Sequence, residues 1–386
     1  MTSWSYRIGA VAGIDVKVHA TFALIVAVAA AGWRSQGLGG MAFGAALVLL
    51  LFACILLHEL GHALAARYYN VPVREIVLLP IGGIAFLGRA VRNPVEELVI
   101  AAAGPAVNVA ILAFLLPVCW LAGVTPAAFA GLASPGTTQP SLLYGLAWLA
   151  SANIGLVLFN LIPAFPLDGG RMLRGALGLV TDWTRATEWA TATGRYLAVA
   201  MGVWAIATGH VMLALVAVLI FTSASSTAAE ERGRTVLSSH AVGAACNRHA
   251  LVLGPNDRVS TVVSYLLTSY QPDFAVVSGA RLRGVVRRTQ VVEALAMRGG
   301  ELPVSAIMRQ CPSVEAHLTL AEVRGVLQES MTTVAAVYDR GHFSGLVSLD
   351  DIDEAELVLA SQRLGRIGGA ESGRPHRWAR PAPSEA

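Results

Sequence analysis

The sequence predicts a polytopic α-helical membrane protein of about six transmembrane helices, followed by a C-terminal α/β module of two repeats. Three observations lead there. Of 386 residues, 55% are apolar and 14% are charged, whereas an ordinary soluble domain is about 25% charged. The apolar residues come in separate runs long enough to cross a bilayer, each needing about 20 residues. After about residue 230 the chain turns polar, and two stretches of about 60 residues share one pattern of strands and helices. The length calls for two parts, and the expected boundaries are 1–230, 240–300, 301–360 and a Gly/Pro/Ser/Arg-rich tail, 361–386, of disordered composition.

Taken in order, the expected spans are 17–33, 41–69, 96–121, 141–162, 190–208 and 210–227. The first reads as an uncleaved span rather than a signal peptide, and a tight turn at Gly209-His210 separates the last two. Arginines mark the cytoplasmic side. Segment 67–97 carries Arg67, Arg74, Arg89 and Arg92, and 168–195 carries Arg171, Arg174, Arg185 and Arg195, whereas 122–140 has no charge. An even number of spans then puts both termini in the cytoplasm of a multi-pass cell-membrane protein. Between the second and third spans, Glu75 to Leu87 is rich in β-formers and broken by Pro80 and Gly82-Gly83, which predicts a short hairpin or strand.

A net charge of +3 and the lack of a basic block interleaved with aromatics exclude nucleic acid as a partner. Four scattered cysteines, Cys54, Cys119, Cys246 and Cys311, give neither a disulfide framework nor a cysteine metal site.

The chemistry is concentrated in His58-Glu59-Leu60-Gly61-His62, which follows an uncharged run from Met41 to Leu57. Ionisable groups in a membrane helix are costly and mark function. Histidines four apart share one helical face and can bind one Zn2+. Glu59 lies about 100° round from the first, where it can act as general base on water whose pKa zinc lowers towards ~7. A catalytic zinc site takes three protein ligands and an open position, so a third must come from elsewhere. Asp168 is the candidate. It follows helix-ending Pro163 and Pro166 and precedes Gly169-Gly170, which permit close backbone approach. His58 lies 17 residues into the second span, about 25 Å along it, and the fourth span brings Asp168 to a similar depth.

These motifs resemble the site-2 protease family of intramembrane zinc metalloproteases. The likeness covers about residues 8–225. It is carried by His58-Glu59-Leu-Gly-His62, by Asn160-x-x-Pro163 with Leu167-Asp168-Gly169-Gly170, by Asn93-Pro94 with Ala103-Gly104-Pro105-x-x-Asn108, and by Gly13-Ile-Asp-Val-Lys-Val-His19. The resemblance implies His58, His62 and Asp168 as zinc ligands, Glu59 as base, and Asn160 near the site as a stabiliser of the oxyanion. It implies single-span membrane proteins, such as an anti-sigma factor, as substrates. His19 is a candidate helper or an interfacial residue. The 76–86 strand is either a dock for an unwound substrate by β-augmentation or a structural hairpin.

The two C-terminal repeats resemble a tandem cystathionine-β-synthase-type (CBS) pair, a regulatory module. Such pairs often bind adenosine nucleotides through a Ser/Thr-x-x-Asp pattern. The second copy has it in Gly345-Leu-Val-Ser348-Leu-Asp350-Asp351, whereas the first reads Gly284-Val-Val-Arg287-Arg-Thr-Gln290. The resemblance therefore implies one nucleotide site at Ser348 and Asp351, or a homodimerisation module without ligand. The alternative function for the whole chain is a transporter or channel with regulatory repeats, which leaves the His/Glu/Asp set without a role.

Overall fold

The computed structural model describes residues 4–80, 82–124, 139–248, 250–268, 271–279 and 281–371. The chain divides into two compact units, Met1–Glu231 and Arg232–Ala386.

The first unit starts with strands. β1 (Ser5–Val11) and β2 (Ile14–His19) form a hairpin, and β3 (Val73–Leu79) and β4 (Gly82–Leu87) form another. β2 and β3 join them in parallel, giving a four-stranded sheet of order β1-β2-β3-β4. The second hairpin lies where the β-formers are. The first corrects the expected span 17–33. Residues up to His19 are strand, and α1 covers only Phe22–Gly32. Eleven residues rise about 16 Å, well short of a hydrocarbon core of about 30 Å. The cause is a period-two pattern: Ile14 and Val16 are buried, while Asp15 pairs with Arg7 and Lys17 with Glu75. Ile14, Ile76 and Leu78 pack with Phe52 and Ala63, so the sheet sits against the next helix.

That helix, α2 (Gly37–Tyr68), is followed by α3 (Pro94–Leu121), α4 (Leu142–Asn160), α5 (Asp168–Gly178), α6 (Trp183–Thr208) and α7 (Val211–Leu237). Among the described residues α2 with the turn before it, α3, α4 and α7 are long and apolar enough to cross a membrane. The chain is thus a multi-pass membrane protein. Local signals set the helix ends. Asn93 caps α3 by accepting from the amides of Val95 and Glu96, with Pro94 in its first turn. Asp182 caps α6, and Gly209, at φ +69°, turns the chain into α7. Segment 125–138, within the charge-free stretch, lies outside the described residues.

The second unit contains one topology twice. β5 (Val252–Leu253), α8 (Val259–Thr268), β6 (Asp273–Ser278), β7 (Arg281–Arg287) and α9 (Arg288–Arg298) are matched by β8 (Ser313–Glu315), α10 (Leu320–Glu329), β9 (Val334–Asp339), β10 (His342–Ser348) and α11 (Leu349–Glu371). In each, the first strand runs parallel to the second and the second antiparallel to the third. Each copy takes a bridge from the segment preceding the other: Arg309 pairs with Val285 and Asn247 with Leu346. Gly284 and Gly345 permit the crossing. A Cβ at Gly284 would meet the Arg309 carbonyl oxygen at 2.7 Å, and one at Gly345 the Asn247 carbonyl. Ala275, Val285, Val334, Ala336 and Leu346 form a core shared by the two copies. Helix α11 continues to Glu371, and residues 372–386 lie outside the described residues.

Candidate active site

His58 and His62 share the face of α2 that meets α3, and both are 6% exposed. Asp168, 7% exposed, opens α5 beside them. The paired glycines place it there. A side chain at Gly169 would run into the carbonyl oxygens of Leu161 and Ile162, and one at Gly170 into the Ala164–Phe165 peptide, so α5 can start tucked against the end of α4. Among the described residues these three form the one cluster of metal-ligand type. His58 Nε2 is 3.1 Å and His62 Nε2 3.2 Å from Asp168 Oδ2, and the two Nε2 atoms are 3.0 Å apart.

The hydrogen bonds behind the rings identify what those atoms are. Asn153 Nδ2 donates to the Leu149 carbonyl oxygen (2.9 Å) and towards Cys54 Sγ (3.4 Å). Its Oδ1 therefore faces Asn108 and accepts from Nδ2 (2.8 Å). Asn108 Oδ1 is left to accept from His58 Nδ1 (2.5 Å). His62 Nδ1 donates to the Ile100 carbonyl oxygen (2.7 Å). With both Nδ1 protons committed outwards, the neutral rings turn Nε2 lone pairs towards one another and towards a carboxylate oxygen. Three acceptors this close repel unless a cation lies between them. The donor set, two imidazoles and one carboxylate with oriented outer partners, suits zinc.

A cavity of about 510 Å³ opens on the cluster, lined also by Glu59, Gly82, Gly83, Asn160 and Arg171. Glu59 is half-buried and next to β4: a Cβ at Gly83 would press on Glu59 Cγ and stand 3.1 Å from Cδ. Asn160 is half-buried at the last position of α4. His19 is not among the lining residues; its Nδ1 bonds Thr21 Oγ1 at 2.7 Å. In the second unit, Ser348 and Asp351 hold each other across the first turn of α11. Asp351 Oδ2 accepts from the Ser348 amide and hydroxyl, both at 2.8 Å, and the Asp351 amide donates back to Ser348 Oγ at 3.0 Å. In the first copy Gln290 spends its amide on the Arg287 N–H and the Ile307 carbonyl oxygen.

Sequence reasoning gave no role to Asn108, Asn153 or Glu97. All three are 1% exposed or less. The signal was available, because amides and a carboxylate inside apolar helices are expensive and need partners.

The sequence profile of peptidase family M50 matches residues 46–139 and 130–204. A zinc metalloprotease of Methanocaldococcus jannaschii is 29% identical over 358 residues, 92% of this chain and 97% of that protein. The putative zinc metalloprotease Rip3 of Mycobacterium tuberculosis is 35% identical over 192 residues, 47% of this chain and 45% of its own length. Among solved structures, the site-2 protease from Methanocaldococcus jannaschii is 34% identical and matches 58% of this chain and 95% of that one, with a TM-score of 0.42. The CBS domain of a bacterial CNNM/CorC family Mg2+ transporter in complex with ATP is 15% identical over 33% of this chain and 93% of that one, with a TM-score of 0.31. The chain belongs to peptidase family M50, with the site-2 proteases, and is a zinc metalloprotease of the membrane.

Proposed function

We propose that the chain cleaves transmembrane segments of membrane-anchored, single-span regulatory proteins, with His58, His62 and Asp168 holding zinc, Glu59 as general base and Asn160 as oxyanion donor. The observation that carries this reading is the convergence of three acceptor atoms, each 3.0–3.2 Å from the others, backed by a hydrogen-bond chain that fixes both imidazole tautomers. Zinc, when bound, supplies a Lewis acid and makes water nucleophilic near neutral pH. Glu59 takes the proton from the attacking water and delivers it to the departing amide nitrogen. Asn160 donates to the carbonyl oxygen as it gains charge. Asn108 and the Ile100 carbonyl hold the imidazoles in place throughout.

A helical substrate has its amides locked in hydrogen bonds, so it must unwind first. β4 is an edge strand, and its Gly82-Gly83 segment lines the cavity beside Glu59. An unwound segment adds to that edge by β-augmentation, which sets a peptide bond before the base. The arginine-rich segments 67–97 and 168–195 favour a cytoplasmic position for both and water access from that side. The second unit is a CBS pair that modulates cleavage. Its adenosine nucleotide is held at Ser348 and Asp351, and the same pair joins two chains into a homodimer. The natural substrate is a regulator such as an anti-sigma factor already trimmed outside.

The test uses detergent-purified full-length protein with a single-span membrane substrate. One zinc per chain, and cleavage lost in Glu59→Gln with zinc retained, is the expected result; cleavage surviving that substitution sinks the proposal. Calorimetry with ATP, ADP and AMP, repeated on Asp351→Ala, examines the nucleotide assignment separately, and heat unchanged between the two proteins would reject it.

A further inference from the structure

Helix α5 carries two arginines, Arg171 and Arg174, one and two turns beyond Asp168. One carboxylate opposes both. Glu97, in the first turn of α3, is 1% exposed, and its burial is tolerable only because it is paired. Arg174 grips it as a fork: Nε donates to Oε2 at 2.9 Å and Nη2 to Oε1. The same guanidinium lies 4.9 Å from the ring centroids of both Phe165 and Trp183. Arg174 is therefore fully engaged in joining α5 to α3.

Arg171 stands differently. Its Nε is 3.9 Å from Glu97 Oε1, its Nη1 is 4.0 Å from Asp168 Oδ1, and its side chain lines the cavity at 23% exposure. Asp168 turns Oδ2 to the two imidazoles, so its other oxygen faces the guanidinium. We infer that Arg171 is a positioning residue: restrained from behind by Glu97, it holds Asp168 with one oxygen on the metal side and the other on the guanidinium.

The physical reason is that an aspartate at the first position of a helix has a mobile side chain and two equivalent oxygens. Nothing in its own backbone selects single-oxygen ligation over a chelating or swung-out arrangement. A cation beside Oδ1 makes the selection, as outer partners of metal ligands do generally. The inference rests on the reading of Asp168 as a zinc ligand.

The experiment measures zinc affinity by chelator competition, and the visible spectrum of the Co2+-loaded protein, on the full chain in detergent. The proteins compared are wild type, Arg171→Met, Arg171→Lys, Asp168→Ala and Asp168→Ala with Arg171→Met. Arg171→Met is expected to lower zinc affinity about 10- to 100-fold and to shift the Co2+ bands. Arg171→Lys should recover part of the loss. On the Asp168→Ala background Arg171→Met should add nothing, because the two act as one unit. Wild-type affinity and spectrum in Arg171→Met overturn the inference, and so does a loss that adds in full to that of Asp168→Ala. If the methionine variant alone fails to fold, Arg171→Lys carries the same cycle with a smaller loss; if both fail to fold, Arg171 is a packing residue and the inference falls. Zinc bound normally by Asp168→Ala would instead overturn the ligand assignment itself.

Discussion

Gly104 of α3 lies against the two histidines, and replacing it with alanine should remove the metal. A Cβ there would lie 2.7 Å from His58 Nε2 and nearer still to His62 Nε2. Zinc accepts imidazole nitrogen at about 2.0–2.1 Å, whereas non-bonded heavy atoms settle about 3.5–4.0 Å apart. The methyl group would therefore crowd both Nε2 atoms that would hold the ion, overlapping by about 1 Å at His58 and by more at His62. Neither ring can swing away without breaking its bond to Asn108 or to the Ile100 carbonyl. Relief requires α3 to back off α2, which breaks those same bonds. Loss of a single outer partner costs metal sites about 10- to 100-fold, so displacement of two ligands together should exceed ~100-fold, or about 2.7 kcal/mol. The assay is zinc content by mass spectrometry after equilibration with chelators of graded strength, alongside cleavage. Gly155→Ala, where a Cβ has nothing within 4 Å, is the control. Gly104→Ala holding one zinc per chain with wild-type affinity would refute both the packing of α3 on the histidines and their assignment as ligands.

Other outcomes follow from the same packing. Asn108→Ala, which frees His58 Nδ1 and leaves Asn153 Oδ1 without its donor, should lower zinc affinity about 10- to 100-fold; a chelator titration indistinguishable from wild type would count against the tautomer argument. Gly83→Ala presses on Glu59 Cγ and should slow cleavage on the order of 100-fold while zinc content stays at one per chain; full activity would mean β4 can yield at no cost. In the second unit, burial pushes the Asp273 carboxyl up to about 6, with Arg287 opposing the shift and Asp351 and Asp350 adding to it. An unfolded aspartate titrates near ~3.9, so between pH ~4 and ~6 the native state binds more protons and stability falls as pH rises. Asp273→Asn should flatten that fall, read as amide exchange protection of β6 and β7 against pH. Identical profiles in the two proteins would show that Asp273 is not the group responsible.

The legible and illegible parts of the sequence differ in kind. The histidine pair, Glu59 and the helices around them could be read because spacing along one helix and long apolar runs are local properties. The paired repeats could be read because Gly284 and Gly345 recur with their strands, although the reason for the glycines, a backbone crossing from the other copy, is non-local. The β1–β2 hairpin was hidden by hydropathy. Val18 falls within the expected span 17–33, although Ile14, Val16 and Val18 alternate with Asp15, Lys17 and His19 as a half-buried strand requires. The amide chain through Asn108 and Asn153 was the least visible. Each asparagine is an isolated polar residue in its own helix, and only the packing of α2, α3 and α4 makes them one relay. Arg171 and Arg174 read from the sequence only as cytoplasmic-side charges, and their convergence on Glu97 depends on α5, a helix the apolar pattern does not contain.

The proposed ligand set has a consequence for biosynthesis. His58 and Asp168 are 110 residues apart in the chain. At roughly 5–20 residues per second, about 5–20 s of translation separates the first proposed ligand from the last. During that interval a nascent chain holds two imidazoles and the proposed base but not the residue that would complete the ligand set, and the relay behind His58 is itself incomplete until Asn153 has been made. On that proposal the hydrolase emerges inert into a membrane crowded with other newly made proteins, and it gains cutting power only once α4 and α5 have joined the bundle.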